Sequence, residues 1–230
     1  MSDYLSEPHA YLRKLPHIQP SNASYFVTYR LAGSIPNTTL IKLQIEKENF
    51  ERELKSVKNP AERENLRIEF HRYYFKKYDD TLDAIKTGPV WLKDPHIASL
   101  VADSIKFYDG VRYDLFAYSV MPNHVHQVFY MSDDHVRKMK NLKDYNTDKF
   151  YPVTKILESI KKYTSRRANI ILSRKGALWE RESYDHVVRN NRSLVRIVKY
   201  VLNNPVKAGL VELPEEWQWN YCKQDFRLDN

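Results

Sequence analysis

Val111-Arg-Tyr-Asp-Leu-Phe-Ala-Tyr-Ser-Val120, then Met-Pro-Asn, then His124-Val-His-Gln-Val-Phe-Tyr-Met131: β-branched and aromatic residues dominate both runs, and the residues between them make a connection of hairpin length. Two adjacent antiparallel strands follow. Upstream, Ile97, Leu100, Val101, Ile105 and Phe107 recur at helical intervals over residues 94–108, so a helix facing a core precedes the hairpin. Further upstream, residues 25–31 (Tyr-Phe-Val-Thr-Tyr-Arg-Leu) read as a first strand, closed by Gly33 and Pro36. Downstream, residues 132–152 are polar and lysine-rich and read as a loop. Residues 153–175 read as a helix with Leu157, Ile160, Thr164, Ala168 and Ile171 on one face, and residues 178–188 as a strand. A last helix spans residues 193–204 and is stopped by Pro205 and Gly209. This order predicts an α+β sandwich, with helices packed on one side of an antiparallel sheet.

Between the first strand and the first core helix the composition changes. Residues 38–86 are charged and lack glycine, with Leu40, Leu43, Phe50 and Leu54 at helical spacing until Pro60 breaks the run. A second helix from residue 61 to about residue 78 carries Ile68, Tyr73 and Phe75, and Gly88-Pro89 closes the segment. The expectation is one domain over residues 1–230, with a helical-hairpin insertion at 38–90 and a C-terminal tail at 211–230. The plainest reading of the insertion is a solvated charged hairpin without chemistry. Trp217 and Trp219 in the tail either pack on the body or cover the site.

The 230 residues carry 37 Lys+Arg against 29 Asp+Glu, a formal charge of +8, and 42% are hydrophobic, enough to build a core and to exclude wholesale disorder. A single cysteine, Cys222, excludes an internal disulfide and any multi-cysteine metal site, so histidines and oxygens must carry any metal. No apolar run approaches the roughly 20 residues that span a bilayer. The first ten residues are acidic and lack an apolar stretch, so no signal peptide is expected. A soluble, cytoplasmic protein follows, with no membrane partner. The basic balance favours a polyanionic partner, most simply nucleic acid.

Three constellations could carry chemistry. On a strand, His124 and His126 point to one face, about 7 Å apart along the chain, while Val125 faces the core. Two imidazoles so placed can share a divalent ion, although short motifs of this kind are more often structural. On the last helix, Leu194, Ile197, Val198, Val201 and Leu202 form the apolar arc, and Tyr200 lies outside it on a stripe with Ser193, Arg196 and Asn204. Asn204 stands one turn above Tyr200, an arrangement suited to a nucleophile and a metal ligand. For the helix taken alone, a half-buried tyrosine capping the core edge, with Asn204 terminating the helix before Pro205, is the favoured reading. Third, residues 153–175 hold seven cations (Lys155, Lys161, Lys162, Arg166, Arg167, Arg174, Lys175) against one acid, Glu158, with Tyr163 between them, a footprint for phosphates.

Taken in order, Tyr-Ser-Val-Met-Pro-Asn-His-Val-His (118–126), Leu-Trp-Glu-Arg (178–181), Tyr-Asp-His-Val-Val-Arg (184–189) and Tyr-Val-Leu-Asn-Asn-Pro-Val-Lys-Ala-Gly-Leu (200–210) resemble the REP-associated tyrosine transposases, which are HUH single-tyrosine transposases. The resemblance covers most of residues 20–212, and Trp-Leu-Lys-Asp-Pro (91–95) with the charged insertion resembles the longer members. It implies a ferredoxin-like HUH fold that cuts and rejoins single-stranded DNA near small hairpins. It further implies His124 and His126 as ligands of Mg²⁺ or Mn²⁺, Asn204 as the third ligand and Tyr200 as the nucleophile, with Tyr184 the competing tyrosine. DNA contacts would come from Lys155, Lys162, Arg166, Arg167, Arg181 and Arg196. A bacterial, cytoplasmic, nucleoid-associated enzyme is expected, acting as a monomer, with a dimer the alternative. A non-catalytic hairpin DNA- or RNA-binding protein on the same fold is the runner-up. A metal-dependent phosphohydrolase is disfavoured, because no carboxylate cluster is expected near the histidines.

Overall fold

The computed structural model describes residues 19–84, 88–141 and 151–224. Among these described residues, five strands form one sheet: β1 (Ala23–Arg30), β2 (Asp114–Val120), β3 (His124–Met131), β4 (Tyr184–Val188) and β5 (Asn220–Cys222), in the order β4-β1-β3-β2-β5 with antiparallel neighbours. The first four strands and the two core helices, α3 (Pro95–Lys106) and α5 (Pro152–Ile171), give the β-α-β-β-α-β ferredoxin-like pattern. Helix α6 (Asn191–Lys207) follows β4, and β5 extends the β2 edge. The α+β class is as the sequence predicts.

The helices pack on both faces of the sheet rather than on one. In β1, Tyr25, Val27 and Tyr29 enter a core with Ile97, Val101 and Ile105 of α3 and Ile156 and Ile160 of α5. The alternate residue Phe26 meets Leu194, Val198 and Val201 of α6 on the opposite face. A strand covered on both sides reads as a continuous apolar run, as residues 25–29 do. Phe129 shows how densely the first core is filled: its ring stacks on Tyr25 at 5.8 Å and lies 4.8 Å from Tyr113, a burial contributing about 1.5–3 kcal/mol.

The charged segment is a helical hairpin, α1 (Asn37–Ser56) and α2 (Pro60–Asp83), joined face to face by Phe50 and Phe70 at 3.8 Å. Pro60 starts α2 rather than merely breaking α1: Asn59 caps it by accepting from Ala61 N and Glu62 N at 2.9 and 3.3 Å. The helix also runs five residues past Tyr78, and its end lies on the α6 face of the sheet. There Phe75 sits edge-on to Phe26 at 5.3 Å, and Tyr78 Oη accepts from Arg30 Nε at 2.8 Å. Asn123 Nδ2 donates to Leu82 O at 3.0 Å and ties the end of α2 to the β2–β3 turn.

Other expectations shift for identifiable reasons. Residues 132–141 are not loop: Ser132 caps a short helix, α4 (Asp133–Lys140), by accepting from His135 N, while residues 142–150 lie outside the described part. Phe107 and Ile171, assigned to core faces, are exposed because both helices end at or before them. The strand expected at 178–188 begins only at Tyr184; Trp179 forms an isolated bridge with Leu31, just past β1, and Leu178 O accepts from Ala32 N at 2.9 Å. Pro205 does not stop α6, which continues to Lys207. A proline removes one donor, the packing of buried Pro205 holds the last turn, and Gly209, at φ +68, closes it. The tail lies on the body: Trp217 Nε1 donates to Val120 O at 3.1 Å, and Trp219 packs on the α3–α5 core.

Gly88 has φ +86, and a Cβ there would stand 2.5 Å from Gly33 O and 2.9 Å from Ser34 Cα. Gly88→Ala is therefore expected to cost more than about 1 kcal/mol, since strain and a backbone clash add. A chemical-denaturation midpoint equal to the native one contradicts this.

Candidate active site

Strand alternation sends His124 and His126 to the α6 face, and register places them beside Arg30 and Thr28 of β1. Both rings are buried. His124 Nδ1 meets Asn123 Oδ1 at 2.7 Å, and His126 Nδ1 meets Thr28 Oγ1 at 2.8 Å. With the Nδ1 atoms held by oxygens, the two Nε2 atoms face each other at 3.0 Å. The Asn123 contact assigns the His124 proton to Nδ1 and leaves the Nε2 lone pair free.

Asn204, Asp79 and Asp83 converge on these nitrogens, with Tyr200 and Lys207 behind them. From α6, Asn204 Nδ2 lies 3.2 Å from His126 Nε2. From α2, Asp79 Oδ1 lies 3.2 Å from His126 Nε2, and Asp79 Oδ2 accepts from the Tyr200 hydroxyl and from Asn204 Nδ2 at 3.4 Å. Asp83 Oδ1 is 3.9 Å from His124 Nε2. Lys207, in the turn of α6 past Pro205, reaches Asp83 at 2.8 Å, Asp80 at 2.6 Å and Asp79 at 3.6 Å. Asp79, His124 and His126 each offer a donor atom, all within 4.8 Å of one another, and Asn204 Oδ1 is buried with no hydrogen-bond partner. Such a set of nitrogen and oxygen donors fits a divalent cation.

The structure brings Tyr200, His124, His126 and Asn204 near one another, and beside them stand three residues that the sequence analysis did not single out. Asp79 and Asp83 lie in the part of α2 past residue 78, and Lys207 lies past the expected end of α6. The signal available in sequence was two aspartates one helical turn apart. The hairpin is accordingly not without chemistry-bearing residues at the site. The ground for disfavouring a phosphohydrolase also falls away, since carboxylates do accompany the histidines in space. Tyr184 faces the same side, packed on Phe26 and Phe75, and burial, first, with the charge of Asp185 pushes its hydroxyl well above the usual range.

The cations divide differently. Helix α5 packs on the sheet face opposite the histidines, so exposed Lys162, Arg166 and Arg167 are separated from the site by the sheet itself. Lys155 pairs with Glu158 at 3.0 Å, and Lys161 donates to Glu180 O and Ser183 Oγ at 2.9 and 2.7 Å. Arg181 is exposed between Trp179 and β4. Arg196 is exposed one turn before Tyr200 on the same stripe, the nearest to the phenol of the expected DNA contacts along α6.

Burial, followed by the neighbouring His126, pushes the His124 imidazole down from 6.5 to about 3. An unfolded chain binds that proton more readily between those values, so this contribution to stability falls as pH drops from about 6.5 to 3. Asp83 works in the other direction, because burial and then Asp79 raise its carboxyl to about 6. In metal-free protein, the stability advantage of wild type over His124→Gln should shrink on acidification by at most a few kcal/mol, at about 1.4 kcal/mol per unit. A constant difference from pH 7 to pH 4 in urea titrations contradicts it.

No family model matches the chain. A curated protein of Haemophilus influenzae, named as a REP-associated tyrosine transposase, is 21% identical over 120 residues, 51% of this chain; the match spans 63% of that relative's length. Among solved structures, a REP-associated tyrosine transposase bound to a REP hairpin aligns over 96% of this chain and 82% of its own, with 14% identity and a TM-score of 0.45. Among the described residues, no helix is long and apolar enough to cross a membrane. By its ordered motifs and by this similarity in sequence, the chain resembles the REP-associated tyrosine transposases.

Proposed function

We propose that the protein is a metal-dependent single-strand DNA endonuclease and strand transferase acting at hairpin-associated sites through a 5′-phosphotyrosine intermediate. The observation that carries this is the convergence of the Tyr200 hydroxyl with His124, His126 and Asn204, from β3 and α6, on one buried point. His124, His126 and Asn204 would hold Mg²⁺ or Mn²⁺, which supplies positive charge against the phosphate oxygens that repel a nucleophile. Thr28 and Asn123 fix the two imidazoles, and Phe26 and Phe75 hold the Tyr200 ring edge-on at 6.3 and 6.0 Å. The Tyr200 hydroxyl gives up its proton, to Asp79 or to water, as its oxygen attacks phosphorus; the bond to the 3′-oxygen breaks, and that oxygen takes up a proton and leaves as a hydroxyl. The reverse step, with a second 3′-hydroxyl, rejoins the strand. Arg196, one turn away, is placed to receive a neighbouring phosphate.

One observation favours the second reading, a hairpin-binding protein that does not cleave. His124, His126 and Asn204 are each 0% exposed, with Asp79 of α2 laid against them, so a phosphodiester reaches them only when the end of α2 withdraws. Incubation with an end-labelled hairpin oligonucleotide and Mn²⁺ separates the readings. A denaturant-resistant protein–DNA adduct supports the transferase, binding without an adduct supports the second reading, and cleavage without an adduct indicates a hydrolase. The chain as a single domain, its monomeric state and contacts to DNA from Lys155, Lys162, Arg166, Arg167 and Arg181 belong to the same proposal. Because α5 lies behind the sheet, DNA touching it has to pass around a sheet edge to reach Tyr200.

A further inference from the structure

We propose that the carboxylate of Asp79, delivered by the α1–α2 hairpin, is a ligand of the same divalent cation as His124 and His126, so that the hairpin is part of the metal centre. This rests on the metal-dependent reading above and extends it to a residue from a segment remote in sequence. Three observations support it. Asp79 Oδ1 lies 3.2 Å from His126 Nε2, and Asp79, His124 and His126 present donor atoms within 4.8 Å of one another. Asn204 Oδ1 has no hydrogen-bond donor, and Asp79 Oδ1 has none besides the His126 ring nitrogen, although both residues are 0% exposed. Buried acceptors without donors are costly, and a shared cation satisfies several at once. Finally, the charge is unbalanced: two buried carboxylates, Asp79 and Asp83, face the half-exposed ammonium of Lys207, which also pairs with exposed Asp80. Imidazole, carboxylate and amide oxygens together suit Mn²⁺ better than imidazoles alone.

Two consequences can be measured without DNA. Ligation by Asp79 links cation binding to docking of α2, since whatever binds the docked state stabilises it by mass action. The affinity for Mn²⁺, read from the free-ion electron paramagnetic resonance signal of the full chain, should fall by at least about 10-fold in Asp79→Asn, a loss seen even for indirect partners of a metal. Asp80→Asn makes the same change of charge one residue away on an exposed carboxylate, and should stay within about 2-fold of wild type if only long-range attraction is altered. Equal affinities for wild type and both variants overturn the proposal while leaving a metal on the histidines. Absence of Mn²⁺ binding by wild type removes the metal-dependent reading as well. A measurement on wild type guards against misfolding of the variant: at a Mn²⁺ concentration ten times the Kd, amide exchange of residues 75–83 by local undocking should slow about 10-fold. Unchanged exchange there, with the cation bound, overturns the proposal.

Discussion

Tyr200→Phe is expected to abolish the covalent DNA adduct, lowering cleavage by at least about 10³-fold, the scale on which removal of a nucleophile acts. The substitution leaves the ring in its contacts with Phe26 and Phe75 and deletes only the hydroxyl that donates to Asp79. Folding should therefore change by no more than about 1–2 kcal/mol, and hairpin binding should persist. Tyr184→Phe is the control, because its ring packs on the same Phe26 and Phe75 while the hydroxyl that donates to Asp79 is that of Tyr200. Electrophoresis in denaturant after incubation with labelled DNA and Mn²⁺ reads both. An adduct retained in Tyr200→Phe and lost in Tyr184→Phe exchanges the two tyrosines and sinks the assignment.

The largest loss of stability is expected from Arg30→Met. Arg30 is buried at the end of β1, where Nη2 pairs with Glu180 at 3.2 Å, Nε donates to Tyr78 Oη at 2.8 Å and Nη1 donates to Ser34 Oγ at 3.3 Å. One guanidinium thus joins the sheet, the segment before β4 and helix α2. Methionine fills the space of the stem but provides no donor, and Glu180, only 18% exposed, keeps a charge without its partner. Breaking a buried pair from one side costs about 3–5 kcal/mol, equivalent to a fall in Tm of roughly 6–20 °C for a chain of this size. Replacing both partners, Arg30→Met with Glu180→Met, should recover most of the loss, since no orphaned charge remains. A single variant within about 1 kcal/mol of wild type, or a double variant no better than the single, refutes the account. Release of α2 from Arg30 should also speed amide exchange in residues 75–83.

The legible parts of the molecule were those governed by local period. Alternation in residues 124–131 was enough to put His124 and His126 on one face and Val125 on the other. The helical period around Val201 was enough to set Tyr200 and Asn204 on one stripe beside the apolar arc. Even here the ends of elements were misplaced. Pro205 reads as a stop, and residue 78 reads as the end of α2, because end signals are weak and packing overrides them: Phe75 and Tyr78 dock on the sheet and carry the helix on to Asp83. The residues lost with those misplaced ends, Asp79, Asp83 and Lys207, are the charged half of the site.

What the amino-acid sequence determined by itself was the α+β class, the shared face of the two histidines and the pairing of Tyr200 with Asn204, since a strand repeats every two residues and a helix every 3.6. What only the tertiary structure decided was which faces meet. It placed helices on both sides of the sheet, set the cationic face of α5 behind the histidines, and laid Asp79 against His126 across 47 positions of chain. Periodicity assigns a side chain to a face of its own element, whereas contact between remote elements depends on the burial of both sheet faces at once, which no local spacing encodes.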